Sequence, residues 1–135
     1  QEYTPEGVRR NDGVVVEIDI FEQQERHISD RESKVDLNVH FTANAHHLRK
    51  LPKDVSNGFH VWAMEWQEGQ IDWYLDGEKL ETYRGPTPQE KMFILMALFQ
   101  YNGWIGEIDP NATYPKDFVI DYVRVYQKLN ESGKA

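Results

Sequence analysis

Residues 16–22 constrain the fold of this 135-residue chain more than any other stretch. Their β-branched residues alternate with Glu17 and Asp19, and this period of two is typical of a half-buried strand. The two acids therefore share one face, about 7 Å apart along the strand, where each opposes the ionisation of the other. A strand that serves only folding gains little from such crowding, so the pattern indicates a functional site.

A third acid, Glu22, lies five positions after Glu17 and would point to the opposite face of a flat strand. A one-residue bulge near Ile20 and Phe21 would bring all three acids to the same side. The backbones of Glu17 and Glu22 would then lie about 13 Å apart, and inward-leaning side chains would leave their carboxyl groups about 5 Å apart. That separation is typical of a retaining glycosidase.

The sequence Glu-Ile-Asp-Ile-Phe-Glu at 17–22 resembles the E-x-D-x-x-E signature of glycoside hydrolase family 16, the group of laminarinases, agarases and carrageenases. Residues 59–66, 71–77 and 118–126 resemble later strands of that family in the same order. Four ordered matches over nearly the whole chain argue against chance. The resemblance implies an all-β, antiparallel β-sandwich of the jelly-roll, concanavalin A-like type, in a secreted or periplasmic enzyme.

The same resemblance implies an endo-acting, retaining hydrolase of a β-linked polysaccharide. Glu17 would be the nucleophile, Glu22 the acid/base, and Asp19 the residue that orients the nucleophile. Among substrates, β-1,3 or mixed-linked glucan is preferred and an algal galactan comes second, although the motif spacing is shared across these and does not itself choose among them. A non-catalytic glycan-binding module on the same fold and a transglycosylase that uses the same residues are the alternatives.

The chain divides into a polar leader at 1–13, a partial β-sandwich catalytic domain at 14–128 and a polar tail at 129–135. Apolar patterns predict strands at 34–41, 59–66, 70–75, 78–83, 92–100 and 118–126, and loops at 23–33 and 42–57. Single-domain sandwiches often run to roughly 200–250 residues. We therefore expect the N-terminal half of the sandwich to be missing from this chain. Three explanations stay open: the chain is a fragment, a partner chain completes it, or it is a reduced variant that pairs with itself to cover open sheet edges.

The strand at 34–41 should neighbour the catalytic strand. Its polar face carries Asn38 and His40, which could hydrogen-bond sugar hydroxyls or Glu22, or could simply be solvated. Asp36 on the same face is interpreted as having no function. The adjacent His46 and His47 should point apart, which argues against a metal site formed by these two residues.

Further substrate contacts are expected after the apolar run at 92–100. Residues 101–104 partly match the Gly-Gly-x-Trp of the family, so Trp104 is the candidate ring for sugar stacking, with Gln100 and Asn102 as hydroxyl partners. The other three tryptophans are expected in the core. Related enzymes often bind a structural calcium through a carboxylate in the last strand, which makes Asp121 the candidate metal ligand; the reaction itself requires no cofactor.

The amino-acid composition limits the kinds of partner that the protein is expected to bind. The net charge of −8 and the pI near 5.1 argue against nucleic acid and mildly against a heavily sulfated glycan, so that a neutral polysaccharide fits best. No apolar run of about 18 residues occurs, so no membrane partner is expected. The chain has no cysteine and therefore no disulfide or thiolate metal site.

Overall fold

The computed structural model of the chain describes residues 2–4, 7–9, 12–29, 32–42, 45–98, 100 and 107–129. These residues form nine strands and one short 3-10 helix at Glu25–His27. The strands are β1 (Glu2–Thr4), β2 (Gly7–Arg9), β3 (Val15–Glu22), β4 (Ile28–Ser29), β5 (Glu32–His40), β6 (Ala45–Leu51), β7 (Trp62–Gln67), β8 (Gln70–Leu75) and β9 (Glu78–Arg84). No helix in the described part has the length and apolarity of a membrane span.

The strands form two antiparallel sheets. The first has the order β1-β2-β3-β5-β4, with β6 also paired to β5, and the second has the order β7-β8-β9. In the second sheet, β8 and β9 are joined by Asp76 and Gly77, whose φ angles are 52° and 84°. Positive φ at both central residues is what a two-residue type I′ hairpin requires, which explains the Asp-Gly sequence at this turn.

The core lies between the two sheets. Alternate residues of β5 and β8 meet there, and each is at most 4% exposed: Val35, Leu37, Val39, Ile71, Trp73 and Leu75. On the catalytic strand, Phe21 stacks on Trp62 of the second sheet with ring centroids 4.4 Å apart. The predicted antiparallel β-sandwich is confirmed. Because strand side chains alternate, the other face of β3 and β5 is left for polar residues.

Several predicted strands have their counterparts in the structure, namely β3, β5, β7, β8 and β9. The predicted loop at 42–57 is wrong, because this segment contains β6, which pairs with β5 along seven residues. Its inward positions include His47 and Arg49, whose polar ends reach Glu81 of β9, so the strand has no apolar alternation to reveal it. The predicted loop at 23–33 contains the 3-10 helix and β4.

The strands predicted at 92–100 and 118–126 are not found in the described residues of those segments. A strand needs a neighbouring backbone to accept and donate its hydrogen bonds, and the described residues bring none alongside. Apolar side chains in these segments are consequently exposed, as at Leu98 (58%) and Val125 (76%). Phe118 contacts the core edge, with its ring 6.3 Å from that of Phe21.

The polar leader contributes β1 and β2, which extend the first sheet beyond β3. It is followed by a turn at Asp12 and Gly13. The Asp12 side chain accepts a hydrogen bond from the Val14 backbone N–H at 3.1 Å, and Gly13 has a φ of 84°. The leader therefore ends in a turn directly before β3.

Candidate active site

The predicted bulge lies in β3 between Asp19 and Glu22. Asp19 pairs with Asn38 of β5, whereas Glu22 pairs with Asp36, so three steps along β3 match two steps along β5. The extra residue corrects the parity of the strand. Glu17, Asp19 and Glu22 consequently all lie on the sheet face that points away from the core, as the sequence predicted.

The bulge is held from the core side by Trp73 of β8. This side chain is fully buried, and its indole Nε1 donates a hydrogen bond to the Asp19 backbone carbonyl at 2.8 Å. A bulge interrupts the ladder of backbone hydrogen bonds, so a carbonyl beside it needs another donor. The second sheet therefore supplies the contact that fixes the irregular part of the catalytic strand.

Glu17 pairs with His40 across β3 and β5 and is partly buried. Its pKa is raised from 4.5 to about 7, first by burial and then by the charge of Asp19 and a side-chain hydrogen bond to it. His40 acts in the opposite direction, and Glu22 adds a smaller increase. Because Glu17 responds to the charge of Glu22, protonation of one glutamate affects the other.

Glu22 is also partly buried, and its pKa is likewise raised to about 7. The largest cause is again burial, followed by the charges of Asp19 and Asp36. Repulsion between neighbouring acids therefore contributes to this increase, but removal from water comes first. Asn38 Nδ2 donates a 2.6 Å hydrogen bond to Glu22 Oε2, which favours the ionised form.

Asp19 lies between the two glutamates and is 10% exposed. His40 Nε2 is 3.4 Å from Asp19 Oδ2, and this contact, together with the charges of Glu17 and Glu22, raises the pKa of His40. Of the substrate residues predicted on β5, both Asn38 and His40 thus lie directly against the acid cluster.

Sequence reasoning missed three residues beside Glu22: Gln24, Asp36 and His46. Asp36 is only 4% exposed and lies opposite Glu22 on β5. It contacts His46 Nε2 of β6 at 2.5 Å and accepts a hydrogen bond from Gln24 Nε2 at 3.4 Å. The available signal was the position of Asp36 on the same strand face as Asn38 and His40. As predicted, His47 points the other way, toward Glu81 and Trp73.

Of the remaining predicted residues, the two that the structure describes, Gln100 and Asp121, do not join this cluster. Gln100 is exposed, and Asn102 and Trp104 lie outside the described residues. Asp121 is exposed as well, and the described residues contain no group of three potential metal ligands. Trp73 is a core residue, as expected, while Trp66 is 38% exposed and donates a hydrogen bond to the Pro88 carbonyl.

The cluster combines two glutamates of similar, raised pKa with an intervening aspartate, on the face of β3 that points away from the core. Such a pair can hold one proton between its two members near neutral pH, so that one carboxyl is an acid while the other is a nucleophile or base. These two features, an antiparallel β-sandwich and a pair of neighbouring carboxyl groups, are those of glycoside hydrolase domains that use two carboxylates.

The family follows from comparison with known proteins. The model of "Glycosyl hydrolases family 16" matches residues 8–124, and the chain belongs to this family. A search of solved structures found no significant match.

Curated relatives carry related names. The chain is 32% identical over 97 residues to "Beta-glucanase" of Paenibacillus macerans, which covers 68% of this chain and 40% of the relative. It is 36% identical over 74 residues to "Beta-glucanase" of Brevibacillus brevis, covering 53% and 28%. "Glucan endo-1,3-beta-glucosidase A1" of Niallia circulans is 30% identical over 87 residues, covering 54% and 13%. The chain thus matches less than half the length of these relatives.

Proposed function

We propose that the protein is a retaining, endo-acting glycoside hydrolase that cleaves a β-linked polysaccharide. The observation that carries this proposal is the bulge between Asp19 and Glu22, which brings both glutamates to one face of β3. Membership of glycosyl hydrolases family 16 supports it. A chance cluster of acids on a structural strand would explain neither the bulge nor the family match.

In the first step, ionised Glu17 attacks the anomeric carbon while protonated Glu22 donates its proton to the departing glycosidic oxygen. The raised pKa of Glu22 suits it for this donation near neutral pH. His40 favours the ionised form of Glu17, and Asp19, the carboxyl group between the two glutamates, orients the nucleophile. The product is a covalent glycosyl-enzyme on Glu17.

In the second step, Glu22 acts as a base. Once Glu17 is esterified it no longer carries a negative charge, so Glu22 ionises more readily and takes a proton from the attacking water. The hydrogen bond from Asn38 to Glu22 Oε2 stabilises the ionised carboxylate at this stage. Hydrolysis then restores Glu17 and gives a sugar with retained anomeric configuration.

For the substrate we propose a β-glucan with β-1,3 or mixed linkages, in agreement with the names of the relatives, and an algal galactan as the second choice. The net charge of −8 favours a neutral glycan. An extracellular or periplasmic location fits an enzyme that acts on a polymer of this size.

Two further expectations stay proposals. The exposed apolar segments at 93–98 and 118–126 need a covering surface, which another chain or a second copy of this chain would provide; the oligomeric state in solution tests this. The described residues bring no group of three His, Asp or Glu side chains together, so a calcium ion at Asp121 would need other ligands such as backbone carbonyls, and no catalytic step is assigned to it.

The test is glycan hydrolysis by the wild type and two variants. We expect Glu17→Gln to abolish release of reducing ends while glycan binding persists. Glu22→Ala should lose activity on a polysaccharide but recover on an activated aryl glycoside when azide or formate is added. Near-normal turnover by Glu17→Gln would refute the assignment, and binding without hydrolysis by the wild type would indicate a binding module instead.

A further inference from the structure

We propose that Asp36, fixed between Gln24 and His46 on the strand next to the catalytic one, is a positioning residue that keeps Glu22 in its proton-donating form. This inference rests on the proposed function, since it assigns Asp36 a purpose in the acid step. Asp36 does not touch the reacting atoms in this scheme. It acts through Glu22 alone.

The placement of Asp36 is costly for folding. Carboxylates that lie directly opposite each other on neighbouring strands destabilise a sheet, and Glu22 and Asp36 form such a pair. Asp36 is also 4% exposed, so its charge has lost most of its contact with water. A residue with only a structural role at this position would gain from being neutral.

Both oxygens of Asp36 are fixed by neighbours. His46 Nε2 contacts Oδ1 at 2.5 Å, and Gln24 Nε2 donates to Oδ2 at 3.4 Å. Arg26 Nε donates to Gln24 Oε1 at 2.7 Å. A guanidinium group can only donate, so it sets the orientation of the amide and turns the Gln24 NH₂ group toward Asp36. The carboxylate is therefore oriented from both sides.

Glu22 and Asp36 lie opposite each other on β3 and β5, and the charge of Asp36 adds to the effects of burial and of Asp19 in raising the pKa of Glu22. The other groups around Glu22 differ in their effect. Asp19 acts in the same direction as Asp36, His40 acts in the opposite direction, and the hydrogen bond from Asn38 favours ionisation. His40 and Asn38, on the same strand as Asp36, lower the pKa of Glu22 and so favour loss of its proton at neutral pH. Asp36 opposes this effect and favours the protonated form that can donate.

The remaining charged groups near this position complete the balance. The charge of Glu22 acts on Glu17 along β3, Arg26 and His27 lie on the short helix that follows, and His46 approaches Asp36 from β6. His46 is 63% exposed and contacts Asp36 rather than Glu22. It can therefore moderate the influence of Asp36 without blocking the glutamate.

The experiment compares Asp36→Asn and His46→Gln with the wild type. In the full-length protein we expect Asp36→Asn to move the alkaline limb of the kcat/KM profile to lower pH by about half a pH unit or more, because a like charge near Glu22 is removed. His46→Gln keeps a donor toward Asp36 but cannot carry a positive charge. Its alkaline limb should stay in place or move to higher pH.

The matched control is Asp72→Asn on β8. Asp72 is also 4% exposed, accepts a hydrogen bond from Gln70 Nε2 at 2.7 Å, and belongs to the other sheet. This variant, like Asp36→Asn, removes the charge of a buried carboxylate, but its pH profile should match that of the wild type. An equal shift in both variants would show a general effect of removing a buried carboxylate and would overturn the proposal.

A second readout does not depend on turnover. The pH titration of the Glu22 carboxyl carbon, followed by NMR on ¹³C-labelled protein and assigned with Glu22→Gln, should move to lower pH in Asp36→Asn. An unchanged titration in an active enzyme would overturn the role of Asp36. Absence of hydrolysis by the wild type at every pH would refute the proposed function instead, and with it the purpose assigned to Asp36.

Discussion

Replacing Glu17 with glutamine should make the folded protein more stable above neutral pH. The pKa of Glu17 is raised from 4.5 to about 7 in the folded chain. An acid with a raised folded-state pKa favours folding below its unfolded value, and this contribution is lost as the pH rises through the folded-state value. The free energy of unfolding of the wild type should therefore fall between about pH 4.5 and 7 and then level off.

The size of the effect follows from the pKa. A rise from 4.5 to about 7 corresponds to at most about 3.5 kcal/mol, since each pH unit is worth about 1.4 kcal/mol. Glu17 is partly exposed, and solvent screening reduces this to about 1–2 kcal/mol. Glutamine has nearly the same shape and no charge. The variant should therefore gain that amount at pH 8 and little at pH 4.5.

Urea unfolding between pH 4.5 and 8.5 measures the difference directly. The control is Glu68→Gln, which removes an exposed glutamate at the β7–β8 turn and should leave the shape of the curve unchanged. If the Glu17→Gln and wild-type curves ran parallel at every pH, burial and charge would not destabilise this site, and the electrostatic reasoning would be refuted.

Two other substitutions test the support of the site. Trp73→Phe removes the hydrogen-bond donor to the Asp19 carbonyl, so it should lower the free energy of unfolding in urea by about 1–3 kcal/mol and lower kcat more than it changes KM. The control Trp66→Phe removes a hydrogen bond from a partly exposed ring to a loop carbonyl and should cost less stability. Equal losses in the two variants would contradict a special role for the bulge contact. Asp76 has a pKa lowered by Lys53 and the Val61 backbone N–H, so its stabilising contribution is lost as the pH falls below about 4; thermal unfolding of Asp76→Asn should therefore depend less on pH between 2 and 5 than that of the wild type, and an unchanged dependence would refute this.

The catalytic strand could be predicted from the sequence because its geometry follows from counting. Five positions separate Glu17 and Glu22, side chains alternate with a period of two, and only an extra residue brings both to one face. The core residues of β5 and β8 could also be predicted from the sequence, since the apolar alternation in these two strands is unbroken. The alternation of side chains along a strand was sufficient for a correct prediction wherever the structure depends on the sequence of that one strand.

The missed features depend on neighbours that are distant in sequence. β6 has polar residues facing inward, so it is a strand only because β5 pairs with it and Glu81 of β9 receives Arg49. Asp36 appeared to be a solvated acid, and its burial depends on Gln24 and on His46 of that unpredicted strand. The apolar run at 92–100 is the opposite case, because its local pattern is strong but the described residues provide no partner strand.

The positions of the acids are consequently set by both faces of one sheet. On the open face, Asn38 holds Glu22, and on the core face Trp73 holds the Asp19 carbonyl, on either side of the same irregular stretch. A slip of one residue in β3 would turn its acids into the core and its apolar residues out to water. The apolar packing around Trp73 opposes that slip. The apolar core of the sandwich therefore offsets the electrostatic repulsion between the crowded carboxylates. This explains why Trp73, which is buried beneath the sheet, helps to position the candidate active site.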